Sequence, residues 1–150
     1  MTPSATPARR IPVFFYGSFI RPDVMARGGL HPDRVEVARL DGFDIRIDPH
    51  ASISRSPSHA ICGIVVQATH DELGRLYAQG GVGVFLPEAV VVSTADHRLL
   101  PALCYISPAH GGQPPDLDYL ARLVAAGRAH GFPAWYLDRL EALVIAAGDG

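Results

Sequence analysis

Short apolar runs that end at glycine, proline or charged residues divide this chain into predicted strands and helices. The first run, residues 11–16, is apolar and aromatic and stops at Gly17, which predicts a buried strand that leads into a loop. A short helix is expected at residues 22–27, because Pro22 suits a first helical turn and two glycines follow the run.

The middle of the chain predicts three further strands. Residues 34–48 are interrupted by Asp41-Gly42, a dipeptide typical of tight hairpin turns, so two strands are expected there. Residues 59–68 are apolar and rich in β-branched side chains, with Gly63 among them. This pattern predicts a central strand that another group approaches closely at Gly63.

The rest of the chain predicts three helices and one hairpin. Thr69 and Glu72 have the spacing of a capping box, which predicts a helix that ends near residues 79–81. Two strands are expected at residues 88–93 and 99–106, followed by helices at residues 117–130 and after Pro133. The order is β-α-β-β-β-α-β-β-α-α. Strands in hairpins with helices grouped at the end predict an α+β domain with a mixed, strongly curved sheet or small barrel and flanking helices.

Composition limits the classes of protein to which this chain can belong. With 150 residues and 48% hydrophobic side chains, one domain over residues 11–150 is expected after a flexible tail at residues 1–10. A net charge of −2 offers no basic field for nucleic acid. No stretch approaches the roughly 20 apolar residues of a membrane span. We therefore expect a soluble, cytoplasmic protein that has neither nucleic acid nor a membrane as a partner.

Several reactive groups are absent or unsuited to catalysis. All 13 cationic side chains are Arg, so a lysine nucleophile or Schiff base is excluded. Cys62 and Cys104 lie in apolar runs, which favours buried thiols over a disulfide or a nucleophile. His50 and His59 flank a short polar segment, and a histidine is a possible base, but their spacing is not that of a zinc site. No metal or other cofactor is expected.

The segment Tyr16-Gly17-Ser18-Phe19 is the main candidate for a binding loop. A glycine directly after a buried strand lets backbone N–H groups turn toward a carboxylate or an oxyanion, and Ser18 adds a donor. The alternative is an ordinary transition from strand to turn.

Three blocks, in order over almost the whole chain, resemble the γ-glutamylcyclotransferase-like family in its bacterial-type form. The first is Tyr16-Gly17-Ser18 with its short following helix. The second is the strand at residues 60–66 with its capped helix, and the third is the two-helix ending at residues 119–143. The resemblance implies release of 5-oxoproline from γ-glutamyl amines or amino acids, with the loop binding the α-carboxylate and the oxyanion. It also implies a small-molecule substrate or ligand as the partner and a substrate-binding role for Tyr16, Gly17, Ser18 and Phe19.

The resemblance implies a catalytic Glu at the position where this chain has Gly80. Glu88 is the nearest carboxylate downstream and is the candidate catalytic residue, although a solvated residue at the start of a strand is the alternative. Tyr105 matches a Tyr that faces the pocket in the family, and the alternative is a core aromatic residue.

Three hypotheses follow for the function. The protein is an active cyclotransferase-type lyase or acyltransferase, a non-catalytic protein that binds a small carboxylate or amine, or an enzyme with diverged chemistry in specialised metabolism.

Overall fold

The computed structural model describes residues 9–79, 84–108 and 113–148, within which five strands close into a barrel of order β1-β3-β2-β4-β5. The strands are β1 (Ile11–Phe15), β2 (Glu36–Ile47), β3 (Ala51–Ala68), β4 (Leu86–Thr94) and β5 (Leu99–Ile106). The helices are α1 (Pro22–Arg27), α2 (His70–Tyr77), α3 (Leu117–His130) and α4 (Ala134–Gly148). The predicted α+β class with a small barrel and flanking helices is confirmed.

The predicted hairpin at Asp41-Gly42 is wrong. Strand β2 continues through it, and the register with β3 shifts between Asp41 and Phe43. Gly42 alone in β2 lies opposite four residues of β3, 56–59, and its φ of +85° is a conformation that glycine adopts without strain. The polypeptide turns back only at residues 48–50, so β2 and β3 replace the three strands that the pattern predicted.

The buried positions along β2 change from even to odd numbers at this irregularity. Ala38 and Leu40 are buried, and after the bulge Phe43, Ile45 and Ile47 are buried. Even positions give way to odd ones because the irregular backbone at Gly42 changes which parity faces the core. The dipeptide Asp-Gly suits a bulge as well as a hairpin, since both need a residue with positive φ.

Two local predictions around β3 are confirmed. A Cβ atom at Gly63 would lie 2.2 Å from the backbone oxygen of Phe15, so the backbone of β1 approaches β3 closely there. At the end of β3, the Thr69 hydroxyl accepts from the N–H of Glu72 at 3.1 Å, and the Glu72 carboxylate accepts from the N–H of Thr69 at 2.8 Å. This capping box begins α2 directly after the strand.

The two carboxyl-terminal helices form a pair that packs on the barrel. Gly131, with a φ of +80°, ends α3, and the N–H of Phe132 donates to the oxygen of Gly127 at 2.9 Å. Leu120 and Leu123 of α3 and Tyr136 of α4 are buried against the core. None of the described helices is both long and apolar enough to span a bilayer.

Both cysteines are buried in this core and carry free thiols, as the apolar runs around them predicted. Burial raises the pKa of Cys62 and of Cys104 to about 12 in each case, so the thiols are neutral at physiological pH. The predicted tail at residues 1–10 falls mostly on residues 1–8, which lie outside the described part of the chain.

Candidate functional site

The candidate loop lies where β1 and β5 end side by side. These two strands pair in parallel, with Phe14 opposite Cys104, so their carboxyl ends reach the same edge of the barrel. The Tyr16 hydroxyl consequently donates to the backbone oxygen of Tyr105 at 2.8 Å. This contact fixes the start of the loop on the neighbouring strand.

A short 3-10 turn, Ser18–Ile20, continues the loop. The N–H of Ile20 donates to the oxygen of Gly17 at 3.0 Å, and the N–H of Arg21 donates to the oxygen of Ser18 at 3.2 Å. The first N–H groups of such a turn have no partner inside it. Gly17 has a φ of −120°, so its importance is close approach: a Cβ there would lie 3.1 Å from Cβ of Ala51.

Tyr119, in the first turn of α3, joins this loop to the start of β3. Its hydroxyl oxygen lies 3.3 Å from the Ser18 Oγ and accepts from the N–H of Ala51 at 3.2 Å. The ring of His50 lies against the Tyr119 ring, with 4.6 Å between centroids. Helix α3 is held at this point because the N–H of Asp116 donates to the oxygen of Pro49 at 3.2 Å.

An aromatic wall stands on the other side of the loop. Tyr77, the last residue of α2, stacks on Tyr105 at 4.1 Å between centroids and meets Phe19 edge to face at 5.2 Å. Phe85 lies 5.6 Å from Tyr77 and extends the wall. Side chains from three strands, three helices and their connecting loops therefore enclose one space.

That space is a cavity of about 330 Å³, within the size range of small-molecule sites. Its lining side chains in the described residues are mainly aromatic and include no Asp or Glu. The lining consists of Phe14, Phe15, Tyr16, Gly17, Ser18, Phe19, Val24, Arg27, His50, Ala51, Tyr77, Gln79, Phe85, Tyr105 and Tyr119.

The predicted substrate-binding residues Tyr16, Gly17, Ser18, Phe19 and Tyr105 all line this cavity. Whether they bind a substrate stays a prediction.

The candidate catalytic residue Glu88 is not among the residues that line the cavity. It lies in β4 and forms an ion pair with Arg55 of β3, and its side chain is 37% exposed. Its catalytic role stays an untested prediction. Gly80 lies outside the described residues.

The phenols of the cavity are neutral hydrogen-bonding groups at physiological pH. Burial raises the pKa of Tyr16, Tyr77 and Tyr119 above the ordinary value of 10.0, and burial also raises that of Tyr105. Arg27 contributes a positive charge to the lining and pairs with Asp23 at 3.1 Å. His50 contributes a second positive charge when it is protonated.

The two histidines that the sequence suggested as a pair are in different places. His50 lines the cavity, whereas His59 lines a separate depression with Asp44 and Trp135. His59 lies 2.6 Å from the Ser56 Oγ and 4.0 Å from the Asp44 carboxylate. Strand β3 separates the two because residues 51–58 are part of that strand.

Sequence reasoning missed Tyr77 and Tyr119 as residues of the site. A signal was present for both. Tyr77 follows Leu73 by four positions, and Tyr119 precedes Leu123 by four, so each shares a helix face with a buried leucine. Helical spacing places a residue on the inner face, but the spacing does not show that this end of the face borders a cavity.

Neither a protein-family model nor a curated protein matches the sequence, whereas solved structures match the fold. A structure named gamma-glutamyl cyclotransferase is 21% identical, with a TM-score of 0.73, and the match covers 94% of this chain and 99% of that one. An uncharacterized protein from Homo sapiens is 23% identical, with a TM-score of 0.74, covering 89% of this chain and 88% of that one.

A third similar structure is a yeast gamma glutamyl cyclotransferase described as specific to glutathione, at 15% identity and a TM-score of 0.66. That match covers 93% of this chain and 97% of the yeast one. The chain therefore has the γ-glutamylcyclotransferase-like fold, and the resemblance drawn from the three sequence blocks is confirmed at the level of the fold.

Proposed function

We propose that this γ-glutamylcyclotransferase-like protein binds small γ-glutamyl amines or amino acids in the cavity beside Tyr16 to Phe19. One observation carries the proposal: the loop, Tyr119 and the aromatic wall converge on a single cavity of about 330 Å³. The names of two structures with the same fold support the choice of ligand class.

The polar end of the cavity suits the α-carboxylate of such a ligand. The Tyr119 oxygen accepts from Ala51 N–H and from the Ser18 hydroxyl, so the phenol proton is free to be donated to a bound anion. The first N–H groups of the 3-10 turn and the Arg27 guanidinium add positive potential. The wall of Phe19, Tyr77 and Tyr105 would cover the methylene groups of the glutamyl chain.

The cavity supports binding better than it supports turnover by a carboxylate base. A general base contributes about 10²- to 10⁴-fold to rate, and the described lining holds no Asp or Glu. The chain has Gly80 where the resemblance implies Glu. Release of 5-oxoproline is therefore the second candidate, and it needs another proton carrier.

Calorimetry with a panel of γ-glutamyl amino acids tests the binding proposal, with the α-glutamyl isomers as matched controls. We expect binding of the γ-linked compounds only, because the α-linked isomers lack a free α-carboxylate next to the amine. Ser18→Ala should weaken binding about 5- to 10-fold, the value of one hydrogen bond, because it removes the hydroxyl that donates to Tyr119 and orients its phenol. Equal affinity for both isomers, or none for either, would contradict the proposal.

Gly80→Glu tests whether only the base is missing for the usual reaction. The substitution places a carboxylate directly after Gln79, which lines the cavity. If the parent has no proton carrier of its own, 5-oxoproline release should rise about 10²-fold or more above the parent. Gly80→Gln is the matched control, since it has the same length but cannot accept a proton as a carboxylate does. If Gly80→Glu releases 5-oxoproline no faster than Gly80→Gln, position 80 does not carry the base.

Glu88→Gln tests the carboxylate that the sequence suggested. If Glu88 carries the proton, any release by the parent should fall by about 10²-fold or more in this variant. Unchanged release would remove Glu88 from that role. Arg55→Gln is the companion variant, because it removes the ion-pair partner and leaves the carboxylate in place.

A further inference from the structure

We propose that His50 is the proton carrier of this cavity and gives the protein cyclotransferase activity without a catalytic carboxylate. The inference rests on the proposed function, because it requires that a γ-glutamyl compound binds beside Tyr16 to Phe19. It goes further by assigning the base to a residue on the turn between β2 and β3.

The reaction needs one group that both takes and returns a proton. His50 takes a proton from the α-amine of the ligand as the amine nitrogen forms a bond to the γ-carbonyl carbon. It then returns the proton to the leaving nitrogen as the original amide bond breaks. The products are 5-oxoproline and the free amine, and His50 ends in its starting form, so no other reactant is required.

His50 is the one lining residue, among those described, whose type exchanges a proton near neutral pH. The phenols Tyr16, Tyr77 and Tyr119 hold their protons because burial raises their pKa. A guanidinium such as that of Arg27 does not act as a proton carrier. Among the described lining residues, the imidazole of His50 is therefore the group that transfers the proton.

The position of His50 is set by contacts on both sides of its turn. The His50 oxygen accepts from the N–H of Asp48 at 2.8 Å, and the Pro49 oxygen accepts from the N–H of Asp116 at 3.2 Å. The imidazole lies on the ring of Tyr119, whose hydroxyl meets Ser18. These contacts hold the imidazole next to the group proposed to bind the α-carboxylate, and hence near the α-amine.

Charged and titratable groups around the imidazole come from three elements. Asp48 lies on the same turn, and Asp116 and Tyr119 belong to the start of α3. Arg27 of α1 lines the same cavity. His50 is exposed to solvent, so the imidazole can exchange its proton with water between turnovers.

His50→Gln tests the assignment, and His59→Gln is the matched control because His59 lines the separate depression near Asp44. Affinity for a γ-glutamyl amino acid and the rate of 5-oxoproline release are measured on parent and both variants between pH 5 and 9. We expect His50→Gln to lower the rate at least about 10²-fold, with affinity within about threefold, the difference of a weak contact. His59→Gln should match the parent.

The pH profile separates a proton carrier from a merely structural residue. In the parent and in His59→Gln, the rate should rise as the pH is raised from 5 to 9, since a base must be unprotonated to accept a proton. That rise should disappear in His50→Gln. Added imidazole should restore part of the rate to His50→Ala, which a structural role would not allow.

Three results would overturn the assignment. Release that survives His50→Gln with its pH dependence intact assigns the proton to another group. Binding by the parent without any 5-oxoproline refutes His50 as the carrier and leaves the proposed binding function standing. Absence of binding by the parent refutes both.

Discussion

Tyr119 is the residue that joins the separate parts of the candidate site. Its hydroxyl contacts Ser18 after β1 and Ala51 at the start of β3, while its backbone belongs to α3. A buried N–H that loses its acceptor costs about 1–3 kcal/mol. Tyr119 therefore links the stability of the fold to the shape of the cavity.

Tyr119→Phe should lower the free energy of unfolding by about 1–2 kcal/mol, because the Ala51 N–H and the Ser18 hydroxyl lose their acceptor. Urea denaturation measures the change. Tyr105→Phe is the control for stability, since the backbone oxygen of Tyr105, and not its phenol, accepts from Tyr16. Equal stability of the two variants would show that the Tyr119 contacts contribute nothing measurable.

The raised pKa values of Cys62 and Cys104 predict how the stability of the protein depends on pH. Burial raises the pKa of each thiol from 9.0 to about 12, so the folded protein keeps both protons where an unfolded chain loses them. This contribution to stability is complete below pH 9 and is lost as the pH rises toward 12.

The expected outcome at pH 8 is that neither thiol reacts with a disulfide reagent in the native protein, while both react in urea. Cys62→Ala and Cys104→Ala, each leaving one thiol, assign any signal. Rapid native reaction of either thiol would contradict its burial.

At the scale of the element, Asp41-Gly42 and Gly63 differ in how well the local sequence predicts their structure. Gly63 sits among apolar residues with no turn signal nearby, so close approach was the remaining explanation for it. Asp41-Gly42 satisfies a hairpin and a bulge equally, and only the pairing of β2 with β3 on both sides of it selects the bulge. The capping box at Thr69 and Glu72 was predictable because all its partners lie within one turn.

Gly63→Ala should destabilise the protein by roughly 2–4 kcal/mol, since the new Cβ would overlap the Phe15 oxygen and the Phe14 ring. Gly74→Ala is the matched control in α2, where no atom lies within 4 Å of the added Cβ. That change should stabilise the helix by about 0.5–1 kcal/mol. Thermal unfolding of both variants measures the contrast, and similar melting temperatures would refute the close approach.

At the scale of the whole molecule, the parallel pairing of β1 with β5 closes the barrel and creates the site. Tyr16 and Tyr105 are 89 positions apart, and Ser18 and Tyr119 are 101 apart. Binding in a cavity formed by so many segments should stabilise the fold as a unit.

A γ-glutamyl ligand at 100 times its dissociation constant should therefore raise the free energy of unfolding by about 2.7 kcal/mol. Differential scanning calorimetry at increasing ligand concentration follows the effect. Ser18→Ala should need proportionately more ligand for the same shift. A melting temperature that stays constant at saturating ligand would mean that the ligand does not bind the native state.

The sequence by itself determined the class of fold, most of the helices and strands, the loop from Tyr16 to Phe19, and the close approach at Gly63. These follow from apolar periodicity, capping and glycine placement, which act over a few residues. The tertiary structure alone decided that β2 is one continuous strand, that Tyr77, His50 and Tyr119 border the cavity, and that Glu88 pairs with Arg55. Those features depend on strand order and barrel closure, which bring distant residues together and which the local pattern of the chain does not specify.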